Sequence, residues 1–119
     1  MKVTRFEDAT PYVAPKHFEM CALRLQGFQQ GGPEKFWVGL SHLLPGGGAS
    51  AGASPLERVY VVVAGEVWIK VGDEEVVLRA MDSVCIPGNE TRELKNKGNH
   101  VASMLVIMPY PEGQPPAVG

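Results

Sequence analysis

The 119-residue sequence predicts an all-β protein, either a sandwich or a barrel. Short apolar segments rich in β-branched residues recur along the chain, and each is followed by glycine or proline. No segment shows the 3.6-residue apolar period of an amphipathic helix. Short strands with turn residues between them at this spacing are typical of β-sandwiches and β-barrels.

Most of the predicted strands end at a turn signal. In chain order the predicted strands are 17–26, 35–44, 59–64, 67–71, 76–78, 84–86 and 101–108. The first closes at Gly27, and the second stops at the glycine run 46–48. The pair Gly72-Asp73 separates two short apolar segments, which indicates a hairpin.

Length limits the chain to one hydrophobic core, so a single domain over residues 1–119 is predicted. The barrel core is expected at 17–109, between proline-bearing ends (1–15 and 110–119) that are expected to be extended or loose. The glycine run 46–48 lacks the lysine and following helix of a phosphate-binding loop, so we interpret it as a flexible loop.

Charge and hydropathy narrow the classes of function. The net charge is −2, and no basic patch with interleaved aromatic residues occurs, which argues against nucleic-acid binding. The sequence contains neither the apolar stretch of a membrane span nor the apolar core of a signal peptide. Cys21 and Cys85 are too few for a disulfide framework, so a cytoplasmic protein with reduced thiols is expected.

The spacing of the turn residues resembles that of the cupin family. The first cupin motif, Gly-x5-His-x-His-x3-Glu-x6-Gly, runs here from Gly46 to Gly65 without insertion or deletion. The second, Gly-x5-Pro-x-Gly-x2-His-x3-Asn, runs from Met81 to Asn96 with its proline in place. The resemblance covers residues 40–108 in detail, and it implies the cupin-type double-stranded β-helix, a jelly-roll barrel.

The metal-ligand positions of these motifs carry other residues. Where metal-binding cupins have His, His, Glu and His, this sequence has Gly52, Ser54, Arg58 and Arg92. Glycine offers no ligand, serine is a poor one, and protonated arginine repels a cation. We therefore expect no metal and no other cofactor, and the metal-dependent chemistry common in cupins is not expected.

These substitutions predict an anion site instead. In a cupin barrel, Arg58 and Arg92 would project from neighbouring strands into one interior, with Tyr60 on the same face as Arg58. Two guanidinium groups in a low-dielectric pocket require an anionic partner, and arginine matches carboxylate bidentately. The predicted ligand is a small carboxylate-type molecule held by Arg58 and Arg92, with Ser54 and Trp37 in the lining.

Structural alternatives remain open at each of these positions. Arg58 and Arg92 would be neutralised internally if they paired with nearby acids, namely Glu57, Glu90 and Glu93, or they would extend to the barrel mouth. Trp37 would fill the core or a dimer interface. The alternative to a pocket role for His42 is a hydrogen-bonded core or interface histidine.

Three functional hypotheses follow. The first is a metal-independent enzyme of isomerase, cyclase or decarboxylase type, in which Tyr60 or His42 transfers a proton. The second is a binding or sensing module without turnover. The third is a metal-dependent cupin enzyme with unorthodox ligands drawn from His42, His100, Glu57 and Cys85.

The resemblance also implies association between copies of the chain. Small cupins pair through their sheets and often exchange an N-terminal strand. The segment 18–25 is apolar enough for such an exchange, so a homodimer is predicted. The other predicted partner is the small anionic ligand, with neither nucleic acid nor membrane.

Overall fold

The computed structural model describes residues 1–111 and confirms the all-β prediction. Its strands are β1 (Thr10–Tyr12), β2 (His17–Gln26), β3 (Phe36–Gly52), β4 (Arg58–Ala64), β5 (Val67–Val71), β6 (Glu74–Leu78), β7 (Ser83–Ile86), β8 (Arg92–Lys95) and β9 (Ala102–Pro109). Two single-turn 3₁₀ helices, Phe6–Asp8 and Phe28–Gln30, flank the first strands. No helix within these residues has the length and apolar character needed to cross a membrane.

β3 is shared by both walls of a nearly closed, barrel-shaped sheet. One of its edges pairs antiparallel with β2. Its other edge pairs first with β9, over residues 36–43, and then with β8, over residues 48–52. The strand order is β6-β5-β8-β3-β9-β4-β7, so β8 and β4 are separated by β3 and β9.

The glycine run 46–48 is part of β3, and its interpretation as a flexible loop is wrong. Gly47 and Gly48 are both buried. A Cβ on Gly47 would overlap the carbonyl oxygen of Glu19, and a Cβ on Gly48 would overlap that of Leu94. The two glycines are required because neighbouring backbones come too close for any side chain.

Two short strands were not predicted from the sequence. β1 lies within the N-terminal segment that was expected to be extended or loose, and it pairs with β2. β8 alternates buried and more exposed residues, a two-residue period carried partly by charged side chains. Of the predicted C-terminal tail, 110–119, all but the first two residues lie outside the described residues.

The backbone supports the alignment with both cupin motifs at their turn positions. Gly46 and Gly65, in the first motif, have φ values of +86° and +75°. Met81 and Asn89, which stand where the second motif has glycine, also have positive φ values, 73° and 68°. Residues other than glycine rarely adopt this left-handed conformation. The backbone therefore has the turn conformation of the motif even where the sequence lacks its glycines. Asn96, the last motif position, is buried and hydrogen-bonded to three backbone groups.

The hydrophobic core lines the inside of both walls. Its fully buried members alternate along the strands and include Leu43, Ala49, Val62, Val67, Ile69, Ile86 and Ala102. The segment predicted to be exchanged in a homodimer lies in β2, which pairs with β1 and β3 of its own chain. Association between copies stays a prediction.

Candidate functional site

The barrel contains a cavity of about 500 Å³, within the range of small-molecule sites. Its walls come from β1, β2, β3, β4, β8 and β9 and from the segment before β2. The charged side chains of its lining are basic: Lys16, Arg24, Arg58 and Arg92. No aspartate or glutamate lines it within residues 1–111, so the interior favours an anion.

Arg58 and Arg92 both line this cavity, as the sequence predicted. They are 5 % and 7 % exposed, which argues against the alternative that they reach the barrel mouth. The expectation that they come from neighbouring strands is wrong, because β3 and β9 lie between β4 and β8. Curvature of the barrel, rather than adjacency in the sheet, directs both side chains into one space.

Both guanidinium groups have enclosed N–H groups without partners among residues 1–111. Within this part of the chain, Nε and Nη2 of Arg58 and Nε of Arg92 are buried with no hydrogen-bond acceptor. Nη1 of Arg92 donates one long hydrogen bond, 3.4 Å, to the carbonyl oxygen of Ser50. An uncompensated charge in a low-dielectric interior costs several kcal/mol, about 3–5 in measured cases. The site is therefore electrostatically incomplete.

Internal neutralisation by nearby carboxylates is not observed. Across the described chain, the ion pair found joins Arg79 to Glu66, at 3.3 Å on the surface. Glu57 and Glu90 are exposed, and Glu93 stands opposite Lys70 on the neighbouring strand. The alternative that Glu57, Glu90 or Glu93 pairs with the two arginines is therefore wrong.

His17 lines the same cavity, although the sequence analysis did not single it out. Its Nδ1 lies 2.6 Å from the carbonyl oxygen of Pro15, and a carbonyl can only accept, so Nδ1 carries the proton. The lone pair is then on Nε2. Burial lowers the pKa of the imidazole; the Pro15 hydrogen bond opposes this, and the charges of Arg92 and Arg58 lower the pKa further. The neutral ring is a proton acceptor at pH 7.

We expect His17→Gln to flatten the pH dependence of stability between pH 7 and pH 5. The folded-state pKa lies below the unfolded value of about 6.5, so the unfolded chain binds more protons in this range. The stability that neutral His17 contributes is present above that value and is lost as pH falls toward the folded pKa. Urea unfolding at several pH values measures this slope.

His100 is the matched control for this experiment. It is exposed and does not line the cavity, so His100→Gln should keep the wild-type slope. An unchanged slope in His17→Gln would show that this histidine titrates alike in the folded and unfolded chains.

Three other predicted site residues, Tyr60, Trp37 and Ser54, also line the cavity. Tyr60 is 3 % exposed and follows Arg58 by two residues on the same face of β4. Trp37 is buried and packs edge-on against Tyr12, with ring centroids 5.9 Å apart. The Ser54 hydroxyl accepts a hydrogen bond from the backbone N–H of Leu56, which fixes the turn before β4.

His42 lies outside the cavity, so its prediction as a pocket base is corrected. In β3 the side chains of Trp37 and Leu43 face inward, and His42, an odd number of residues from each, faces outward. Its Nδ1 lies 2.9 Å from Oγ of Ser103, and its ring contacts Phe6 edge-on. This is the hydrogen-bonded structural role that the sequence left open.

The donor set does not fit the metal that most cupins carry. Within the described residues, no three His, Cys, Asp or Glu side chains come together as a cluster of ligands. The proposed unorthodox ligands are dispersed: Cys85, Glu57 and His100 are exposed, and His42 faces outward. Arginine at two family ligand positions adds repulsion of any cation.

Arg24 is a third cavity arginine that sequence analysis missed. Its guanidinium carbon lies 3.7 Å from the ring centroid of Tyr12, 4.0 Å from that of Phe28 and 4.5 Å from that of Trp37. Its Nε and Nη1 are enclosed without a hydrogen-bond partner in the part of the chain that the structure describes. Stacking on aromatic faces stabilises the charge but leaves the N–H groups in the guanidinium plane unsatisfied.

Comparison with known proteins agrees with the fold. Residues 39–108 match the Cupin domain family model. The Mycobacterium tuberculosis protein named beta-D-galactosidase Rv1717 is 43 % identical over 111 residues, which cover 93 % of this chain and 96 % of that protein. The polyketide cyclase RemF from Streptomyces resistomycificus superimposes with a TM-score of 0.82 at 17 % identity, over 100 % of this chain and 86 % of that one. A cupin-2 domain protein of Rhodospirillum rubrum gives 0.79 at 14 % identity, over 98 % and 79 % of the two chains. The chain belongs to the cupin family.

Proposed function

We propose that the cavity binds a small carboxylate between Arg58 and Arg92. The observation that carries this proposal is the pair of buried guanidinium groups with unpartnered N–H groups in a cavity lined by no described acid. A bound carboxylate would neutralise the two charges and accept the free hydrogen bonds. Ligand binding would then also remove the energetic cost of the two buried, unpaired charges.

The residues beside the two arginines support proton transfer on such a ligand. Neutral His17 offers Nε2 as a proton acceptor, and the Tyr60 hydroxyl is a donor on the wall that carries Arg58. The arginines would orient the acid group and stabilise negative charge that develops next to it. We therefore favour a metal-independent acid–base enzyme over a module without turnover.

A second candidate function is the processing of a galactoside, which the 43 % identical relative named beta-D-galactosidase favours. Trp37 and Tyr12 provide aromatic surface of the kind that packs against sugar rings. Glycoside hydrolysis usually employs two carboxylates, whereas the described lining of this cavity has none. Hydrolysis here would depend on His17 and Tyr60 instead.

The carboxylate proposal predicts stabilisation by small acids. Acetate, pyruvate and benzoate at millimolar concentration are expected to raise the unfolding temperature, while the corresponding amides leave it unchanged, because binding to the folded state alone stabilises it. Arg58→Met and Arg92→Met should each weaken affinity by about ten-fold or more, measured by calorimetry. Arg79→Met, at a surface arginine paired with Glu66, is the control that keeps wild-type affinity.

Two outcomes would contradict the proposal. One is that no acid shifts the unfolding temperature, and the other is that both cavity variants respond as the wild type does. A nitrophenyl β-D-galactoside belongs in the same screen. Release of nitrophenol that His17→Gln or Tyr60→Phe abolishes would favour the second candidate.

A further inference from the structure

We propose that the ligand of this cavity carries two acidic groups, one held by Arg58 and Arg92 and the other by Arg24. This inference rests on the proposed carboxylate site and adds a second cationic end to it. All three arginines line one cavity, and each has at least one enclosed N–H group without a hydrogen-bond partner among the described residues.

The two cationic ends are separate in the sheet. Arg24 on β2 stands opposite Gly39, Gly39 stands opposite Val106, and Val106 stands opposite Tyr60 on the strand that carries Arg58. Three strand spacings of about 4.8 Å place Arg24 about 14 Å along the wall from that strand. Long side chains that point inward from both places shorten the gap between the charges. A ligand with two acid groups would supply one to each end.

Each end has a titratable neighbour. Burial lowers the pKa of His17, and the charges of Arg92 and Arg58 lower it further. Burial raises the pKa of Tyr12; the charge of Arg24 opposes this, and Tyr60, on the strand that carries Arg58, raises the pKa further. Each end thus combines guanidinium charge with one neighbouring group that can exchange a proton.

Packing alone does not account for Arg24. The rings of Tyr12, Phe28 and Trp37 cover its faces, but an aromatic face accepts no hydrogen bond from Nε or Nη1 within the guanidinium plane. Gly39 makes room beside it, since a Cβ there would lie only 2.9 Å from the Tyr12 hydroxyl oxygen. Tyr12 and Arg24 together offer O–H and N–H donors at this end of the cavity.

The apolar part of the cavity lining selects the spacer. It includes Leu43, Leu94, Met104, Val106 and Met108. A hydrocarbon or aromatic linker would bury surface against them, whereas a hydroxylated linker would lose hydrogen bonds to water. The ligand class that fits is a dicarboxylate with an apolar spacer.

The test compares linear dicarboxylates, from succinate to azelate, with monocarboxylates of the same carbon number, by calorimetry on the full chain. Dicarboxylate affinity should pass through a maximum at one chain length, where it exceeds that of the matched monocarboxylate by about ten-fold or more. Arg24→Met should bring the ratio of the two affinities close to one. Arg79→Met should leave the ratio at its wild-type value.

The outcomes separate this inference from the carboxylate site on which it rests. If monocarboxylates bind through Arg58 but no dicarboxylate binds more tightly at any length, the second acidic group is excluded and the first site stands. If no acid of either series binds, both proposals fail. Arg24→Lys, which keeps the charge but loses the planar fork, serves if Arg24→Met does not fold, and a ratio unchanged from wild type in that variant would also count against the fork.

Discussion

Replacement of Arg58 by methionine is expected to make the protein more stable while it weakens ligand binding by about ten-fold or more. The guanidinium is 5 % exposed, and two of its enclosed N–H groups lack acceptors within residues 1–111, whereas methionine fills a similar volume with no charge to desolvate. Replacement of buried charges by apolar residues has stabilised proteins by about 1–4 kcal/mol. Arg92→Met should gain less, because Nη1 of Arg92 has one hydrogen bond to lose.

Urea unfolding at pH 7 without ligand measures this change in the free energy of unfolding. Arg79→Met, at the surface pair with Glu66, is expected to change it by no more than about 0.5 kcal/mol. A clear loss of stability in Arg58→Met would mean that the arginine has a partner in the free protein. The proposed site would then no longer be electrostatically incomplete.

Gly48→Ala is expected to be among the most destabilising additions of a single methyl group to the chain. The new Cβ would overlap the carbonyl oxygen of Leu94 on β8, and neither backbone can retreat without breaking the β3–β8 pairing. Overpacking typically lowers the free energy of unfolding by about 1–3 kcal/mol. Here the backbones of two paired strands would have to move apart, so the loss should be at or above the upper end of that range. The soluble yield and the urea midpoint should both fall.

Two other glycines separate steric overlap from backbone conformation. Gly46 has open space around its Cβ position but a φ of +86°, so Gly46→Ala should cost about 1–2 kcal/mol through the left-handed conformation alone. Gly98 has neither problem, since its nearest neighbour would be Asn96 Oδ1 at 3.4 Å, and Gly98→Ala should be close to neutral. If Gly48→Ala is as mild as Gly98→Ala, β3 and β8 are not packed as closely as the structure has them.

Turn chemistry explains why the fold was predictable from sequence. The strands before Gly65 and Gly72 end at the predicted residues, Ala64 and Val71, and β2 and β5 have the predicted bounds. Motif spacing located Arg58, Arg92 and Tyr60 inside the barrel, because strand parity and turn positions together determine which side chains face inward.

The missed features depend on long-range geometry that carries no local signal. His17 enters the cavity because β2 turns irregularly between Phe18 and Met20, where Glu19 has a φ of 50°. Arg24 lies in a strand whose inner and outer faces are not cleanly distinguished by burial. For His42, by contrast, the sequence did carry a local signal. The alternation of inward and outward side chains along the strand, counted from Trp37, would have placed it outside the barrel.

The continuity of β3 bears on how the binding site responds to its ligand. The strand joins β8, which carries Arg92, to β9, which holds the strand of Arg58 in place. The strands that carry the two arginines could move apart only if β3 lost its pairing with β8 or with β9. The two like charges are therefore held at a set distance before a ligand binds. The electrostatic cost of bringing them together is part of the free energy of folding. An anion that enters such a preorganised site forfeits little conformational entropy of the protein, which leaves more of its interaction energy available as affinity.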